Sequence, residues 1–131
     1  MWDTNVSLVA PQLKFPRAHG CARYHRICWP IAYDGPINSA YISCTLKVAF
    51  ELIEVRTGSD GLKPMLRNGR APKGTREAAG EEFRQIIDAC RGEQGEELRE
   101  NAKELQRNLV KAWEDGGEAK RELKRFCSDM F

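Results

Sequence analysis

Apolar and polar positions recur at helical spacing through the second half of the chain and predict three helices there. Thr75 is placed to cap the first, which ends near Gly92, while the second spans about residues 96–115 and the third about residues 118–130. Gly116-Gly117 ends the second helix, as glycine commonly does. Each helix is expected to bury one face, formed by Phe83, Ile86, Ile87 and Cys90, by Leu98, Ala102, Leu105, Leu109 and Ala112, and by Ala119, Leu123, Phe126 and Met130.

The first half of the chain has shorter apolar runs, which predict strands separated by turns. Residues 27–33 are expected to form a buried strand, ending at the turn Asp34-Gly35-Pro36, and residues 50–56 a short strand or extended edge. Between them, residues 37 to about 47 predict a helix, in which Asp34 is placed as a cap. Its buried face is expected to hold Ile37, Ala40, Tyr41, Cys44 and, just beyond it, Val48.

The remaining segments are less regular. Within residues 1–26 only Val6 to Ala10 is strand-like, so this segment is predicted to be poorly organised, and residues 62–74, rich in proline, glycine and basic residues, are predicted to be a surface loop. A strand, a turn and a helix are half of a βαβ unit. The pattern therefore predicts an α/β fold, mostly helical with one or two short strands, divided into residues 1–26 and 27–131.

Length and charge favour a single-domain protein and disfavour a nucleic-acid-binding one. The 131 residues suffice for a single domain, and 21 basic against 19 acidic side chains leave a net charge of +2, with both signs interleaved. A nucleic-acid-binding protein would show a basic stripe instead. Residues 12–26 are locally basic, which is compatible with a surface that contacts phosphate or RNA. We favour the alternative that they form a solvated loop.

The cysteines predict a reduced, cytoplasmic protein, because their number is odd and their spacing irregular. A zinc site formed by His19, Cys21, His25 and Cys28 is an alternative, but the spacing matches no ordinary zinc finger, so no metal is expected. The N-terminus carries no charged leader before an apolar stretch, and no run of about 18 apolar residues occurs. Neither export nor a membrane span is expected.

Three pieces of the sequence, in order, resemble the UDP-glycosyltransferase family, family 1 of the glycosyltransferases, which has the GT-B fold. The segment from Trp29 to Ala40 is similar to the family string W-P-x-x-x-D-Q-P-x-N-A, at the end of its donor-binding motif. The segment Val48 to Leu52 resembles the stretch after the next helix. The family's closing helices, R-x-N-A, then G-G, then L-x-x-F, are matched by Arg99, Asn101, Ala102, Gly116, Gly117, Leu123 and Phe126.

The resemblance implies that residues 27–131 are the C-terminal part of a Rossmann-like domain that binds a nucleotide sugar. Asp34 and Gly35 take the positions of the Asp-Gln pair that hydrogen-bonds the donor sugar, although glycine has no side chain to offer. Gln12 matches a glutamine that contacts the nucleotide. The implied partners are a UDP-sugar, as donor substrate, and a small hydroxylated acceptor, with no cofactor. Because the diphosphate motif and the catalytic histidine have no counterpart here, the chain alone is expected to be an inactive fragment.

Two other functions are compatible with the residues. The apolar faces of the last three helices suit a small helical interaction module without enzymatic activity. Binding of nucleic acid through the basic loop of residues 62–73 is a weaker hypothesis, which requires that the binding depend on salt.

Overall fold

The computed structural model of the chain describes residues 25–30 and 34–130 and the backbone of residues 6–9. Three short strands form one sheet in the order β1-β2-β3, all parallel: β1 is Val6–Val9, β2 is His25–Cys28 and β3 is Phe50–Glu51. In the register, Leu8 lies opposite Ile27, and Ile27 lies opposite Phe50. A small parallel sheet in a mostly helical chain confirms the α/β prediction.

The strand predicted over residues 27–33 lies earlier in the chain. It starts at His25 and ends at Cys28, because Trp29 is followed by Pro30, which has no N–H to donate to a neighbouring strand. Residues 31–33 lie outside the described residues. The strand-like run Val6 to Ala10 forms β1 within the segment predicted to be poorly organised, so the sheet has three strands where one or two were expected. The division of the chain into residues 1–26 and 27–131 stays a prediction.

The helix after the turn forms where predicted, but its buried face was predicted wrongly. Helix α1, Gly35–Ala40, continues into a π-helical turn, Tyr41–Thr45. It buries Gly35 and Ser39, whereas Ile37 and Tyr41 are 74% and 54% exposed and Cys44 is also exposed. Small residues at positions i and i+4 let the helix backbone approach the sheet closely, which turns the bulky apolar side chains outward.

The hydrophobic core lies between the sheet and two long helices. The helices are α3, Arg76–Cys90, and α4, Glu93–Trp113, and a single turn, α2, Gly58–Gly61, precedes them. Thr75 caps α3 as expected, because its hydroxyl accepts a hydrogen bond from the Ala78 N–H at 3.2 Å. The core side chains come from β2, from β3 and the residue after it, and from both helices: Ile27, Phe50, Leu52, Ile86, Cys90 and Leu98.

The last helix, α5, spans Glu118–Met130, as predicted. Gly116 has a positive φ of 82°, and a side chain on Gly117 would clash with the carbonyl oxygens of Lys111 and Ala112, so the turn before α5 depends on both glycines. The expected burial of this helix is wrong. Leu123, Phe126 and Met130 are all exposed, because no described element packs over that face.

The loop of residues 62–74 has no helix or strand, as predicted, yet it is anchored. Met65 and Pro72 are buried, and the Met65 carbonyl and amide bond the backbone of Gly69 and Arg70. In the described part of the chain, no helix is long and apolar enough to cross a membrane.

Candidate functional site

Asp34 is the residue directly before α1, and in the chain it follows β2 after residues 29–33. In open parallel sheets, ligands bind where a strand ends and the next helix begins. The backbone carbonyl of Asp34 accepts the first hydrogen bond of α1, from the Asn38 N–H at 2.9 Å, but its side chain does not cap the helix. The side chain is exposed and accepts a hydrogen bond at Oδ2 from Asn38 Nδ2, at 2.8 Å. No other hydrogen bond reaches this carboxylate from the described residues. Helix capping therefore does not explain why an aspartate side chain stands at position 34.

The other predicted site residues lie in different surroundings. Gly35, which the resemblance aligns with the family's glutamine, is buried and has no side chain. Trp29 follows β2 directly and is 40% exposed. Gln12 lies outside the described residues. The structure thus gives a geometry for Asp34 and Gly35, while the roles of Asp34, Gly35 and Gln12 in donor binding all stay predictions.

Ser39 of α1 lies close to Cys28 at the end of β2. Burial, followed by the charge of Glu51, raises the pKa of the Cys28 thiol to about 11, although the nearby Ser39 hydroxyl opposes the shift. Ser39 is fully buried, and among the described residues no hydrogen bond of regular geometry reaches its hydroxyl. Cys28 is therefore a protonated core thiol at neutral pH, unsuited to act as a nucleophile.

The zinc alternative involves residues that are only partly described. His19 and Cys21 lie outside the described residues, and Cys28 is a protonated thiol. His25 is buried at the start of β2, and its Nε2 lies 2.7 Å from Nη2 of Arg99. Because a guanidinium only donates, Nε2 accepts this bond and is not free for a metal. Within the described ranges, no three His, Cys, Asp or Glu side chains are grouped to hold a metal ion.

A network of buried carboxylates and arginines, which sequence reasoning missed, lies beyond the end of β3. The Glu51 carboxylate accepts from Arg56 at 2.9 Å and from Arg67 at 2.6 Å, and the Ser43 hydroxyl also donates to it. Each of its oxygens accepts at least one hydrogen bond, so this carboxylate holds Arg67 of the loop to β3. The apolar pattern gave no signal for this network, because its glutamates lie at positions where a solvent-exposed polar side chain is expected.

A second cluster of the same kind is formed by Glu54, Glu82 and Arg70. Glu82 of α3 is buried and its Oε2 accepts hydrogen bonds from the backbone N–H groups of Ile53 and Glu54, at 2.8 and 2.7 Å. Arg70 donates to both carboxylates, to Glu54 at 2.9 Å and to Glu82 at 3.2 Å. The hydrogen bond from Arg70 is the main reason that the pKa of Glu54 is lowered. The basic loop is thus held to the core by its arginines, which weighs against its use as a nucleic-acid surface.

Residues of the R-x-N-A string also have defined contacts. Arg99 donates to His25 of β2, and Asn101 Nδ2 donates to the backbone carbonyl of Lys47 at 3.0 Å. Lys47 has a φ of 51°, a conformation that a residue with a side chain rarely adopts. These side chains fasten α4 to the sheet and to the connection before β3, so they position the site and do not form it.

The comparisons with known proteins yield one informative similarity. The chain is 30% identical over 102 residues to the UDP-glycosyltransferase eriJ of Hericium erinaceus, a match that covers 76% of this chain and 20% of that protein. The chain is related to a glycosyltransferase. It spans about a fifth of the length of the curated relative it matches. No protein-family model matches the chain, and no solved structure matches it.

Proposed function

We propose that this chain is the C-terminal, donor-binding part of a family 1 UDP-glycosyltransferase with the GT-B fold, and that it binds the sugar of a UDP-sugar. Three observations support the proposal: the relative named as a UDP-glycosyltransferase, the parallel α/β sheet, and the position of Asp34 between β2 and α1. A Rossmann-like domain would place its ligand at this edge.

The observation that carries the proposal is the Asp34 carboxylate. Asn38 holds one of its oxygens, and no helix amide uses the other, so Oδ1 can accept sugar hydroxyls. A carboxylate accepts charge-assisted hydrogen bonds, about twice as strong as neutral ones, and it discriminates against sugars that lack the hydroxyl. Gly35 contributes backbone alone, so recognition at this position rests on Asp34.

Sugar transfer needs groups beyond this site. A base must take the proton of the acceptor hydroxyl, whose oxygen bonds the anomeric carbon while the bond from that carbon to the diphosphate breaks, its electron pair leaving with UDP. The family takes this base from its N-terminal half, and His25 is occupied by Arg99. We therefore propose that the chain alone binds the donor, with Gln12 against the nucleotide, without transferring the sugar to an acceptor.

Titration of the isotope-labelled chain with UDP-glucose, followed by amide NMR, tests the proposal. We expect shifts of the α1 amides and of the Asn38 side-chain amide. Asp34→Asn should weaken binding about 10- to 100-fold, because hydrogen bonds to a charged group contribute about 1.5–3 kcal/mol. Asp60→Asn is the matched control, since it removes an equal charge from an exposed carboxylate paired with Lys63.

Two results would contradict the donor site. One is a spectrum that UDP-glucose leaves unchanged at millimolar concentration. The other is an equal loss of affinity in Asp34→Asn and Asp60→Asn, which would reduce the effect to net charge. The amide spectrum of each free variant reports whether it is folded, so a failure to fold is distinguished from a failure to bind.

The interaction module remains a second candidate, and one observation favours it. Helix α5 has an apolar face that does not pack over β2 or α3, and its hydrophobic side chains are exposed. A helix that is folded but uncovered on its apolar side is typical of a docking surface.

A further inference from the structure

The side chains of Asp34 and Asn38 are joined across the first turn of α1. The amide Nδ2 of Asn38 donates to Oδ2 of Asp34 at 2.8 Å, four residues earlier in the chain. Gly35 and Ser39, each one residue further along, are the buried residues of the helix, so the pair lies beside the buried face and not within it. Asn38 is half-buried, whereas Asp34 is exposed. The fold therefore restricts the amide more than the carboxylate that it contacts.

The start of α1 offers the Asp34 carboxylate few other partners. A residue before a helix usually has an extended backbone, and its side chain accepts an N–H of the second or third helical residue. Asp34 instead has helical backbone angles, φ −76° and ψ −10°, and the second helical residue is Pro36, which has no N–H. Among the described residues, Asn38 alone donates a hydrogen bond to this carboxylate.

A contact of this kind affects ligand binding more than folding. A hydrogen bond between an amide and a carboxylate four residues apart stabilises a helix only slightly. Binding, in contrast, orders side chains that were free to rotate, and this ordering lowers the affinity for the ligand. A carboxylate that is already held before the ligand arrives avoids much of that loss.

We infer that Asn38 is a positioning residue for the donor sugar, because it holds the Asp34 carboxylate in the orientation in which Oδ1 accepts sugar hydroxyls. Its Nδ2 engages Oδ2, which leaves Oδ1 to the ligand. Asn38 has this role only if Asp34 binds the sugar, so it rests on the proposed function. Since Asn38 acts through Asp34, its loss should lower the affinity for UDP-glucose and leave the affinity for UDP unchanged.

Titration of the full chain with UDP-glucose and, separately, with UDP tests this role by amide NMR. Asn38→Leu keeps the shape of the side chain but removes the donor. It should weaken binding of UDP-glucose about 2- to 10-fold, which corresponds to the ordering of one side chain. Asn108→Leu, at an exposed asparagine of α4, is the matched control and should change neither affinity.

Two conservative replacements separate the hydrogen bond from the size of the side chain. Asn38→Gln keeps an amide that reaches a carboxylate four residues earlier, so it should keep most of the affinity. Asn38→Asp has the shape of asparagine but places a second negative charge beside Asp34, so it should bind UDP-glucose at least as weakly as Asn38→Leu. Equal affinities of all three variants would show that the N–H contributes nothing and would overturn the positioning role.

A double substitution shows whether Asn38 acts through Asp34. In an Asp34→Ala chain, Asn38→Leu should have no further effect on the affinity for UDP-glucose, because the carboxylate that it holds is gone. A full additional loss would mean that Asn38 contacts the sugar by itself. Denaturant unfolding of Asn38→Leu should give a midpoint close to that of the parent chain. A lower midpoint, together with weaker binding of both UDP and UDP-glucose, would show a structural role instead.

Failure of the donor site gives a different result from failure of this role. If UDP-glucose does not bind, or if Asp34→Asn and Asp60→Asn lose affinity equally, the proposed function fails and the role of Asn38 fails with it. If Asp34→Asn lowers the affinity more than Asp60→Asn does, but Asn38→Leu binds like the parent chain, the donor site stands and only the role of Asn38 is overturned.

Discussion

At the start of β2, the buried imidazole of His25 accepts a hydrogen bond from the Arg99 guanidinium at 2.7 Å. Burial lowers the pKa of His25 below 6.5, the positive charge of Arg99 lowers it further, and Glu96 opposes this shift. A protonated His25 would lose its acceptor nitrogen and face a like charge. The unfolded chain therefore binds this proton more readily than the folded chain does.

We expect the free energy of unfolding to be greatest above pH 6.5 and to decrease as the pH falls through this value, until the lower pKa of the folded state is passed. Urea titrations between pH 5 and 8 measure this change in the free energy of unfolding. Other shifted groups do not interfere in that range, because the lowered pKa of Glu54 affects stability only below about pH 4.5 and the raised pKa values of the buried cysteines only above about pH 9. His25→Gln should flatten the profile, and an unaltered slope in this variant would contradict the assignment.

At the scale of elements, the contact between α3 and the chain after β3 depends on the buried Glu82 carboxylate. Its Oε2 accepts two backbone N–H groups, and Arg70 of the loop donates to the same side chain. Glu82→Gln keeps the size of the side chain but removes its charge and turns an amide N–H₂ toward a donor. We expect a loss of about 1.5–3 kcal/mol in the free energy of unfolding, the contribution of hydrogen bonds to a charged group.

Denaturant unfolding of Glu82→Gln beside Glu81→Gln measures this loss. Glu81 is the preceding residue of the same helix but is exposed, so its variant changes the net charge equally and should change stability by less than about 0.5 kcal/mol. Equal stabilities of the two variants would mean that Glu82 contributes only through net charge.

Helices with a strong apolar period could be predicted from the sequence, and contacts between polar groups could not. The bounds of α5 and the Thr75 cap of α3 follow from local signals. The burial of Glu82 does not, because it depends on residues 53 and 54, which are distant in sequence. For α1, the period of the apolar residues was recognised correctly, but the sheet packs against the small residues Gly35 and Ser39 instead. The apolar pattern of a helix therefore does not determine which side of the helix the rest of the fold covers.

The candidate site shows the same limit. The position of Asp34 after a strand and before a helix could be predicted from the Asp-Gly-Pro turn and the family string. That its carboxylate is held by Asn38, and does not cap α1, depends on the rotamers of two side chains. The anchoring role of Arg99 and Asn101 also needed the fold, because each contacts a residue more than fifty positions away.

At the scale of the molecule, the buried core does not include the last helix, α5. Strands β2 and β3 and helices α3 and α4 share the buried cluster, and α5 contributes no buried residue to it. Removing residues 118–131 should therefore change the free energy of unfolding by less than about 1 kcal/mol, when both chains are measured at a dilution at which they are monomeric. Leu98→Ala, within the shared cluster, should cost about 2–5 kcal/mol.

Hydrogen exchange separates the same two parts without a deletion. Amides of α5 should exchange through local opening, with much lower protection than those of α3 and the buried half of α4, since few buried contacts oppose the opening. If α5 shared the protection of α3 in the monomer, it would belong to the cooperative core, and the apolar face would be covered by the chain itself.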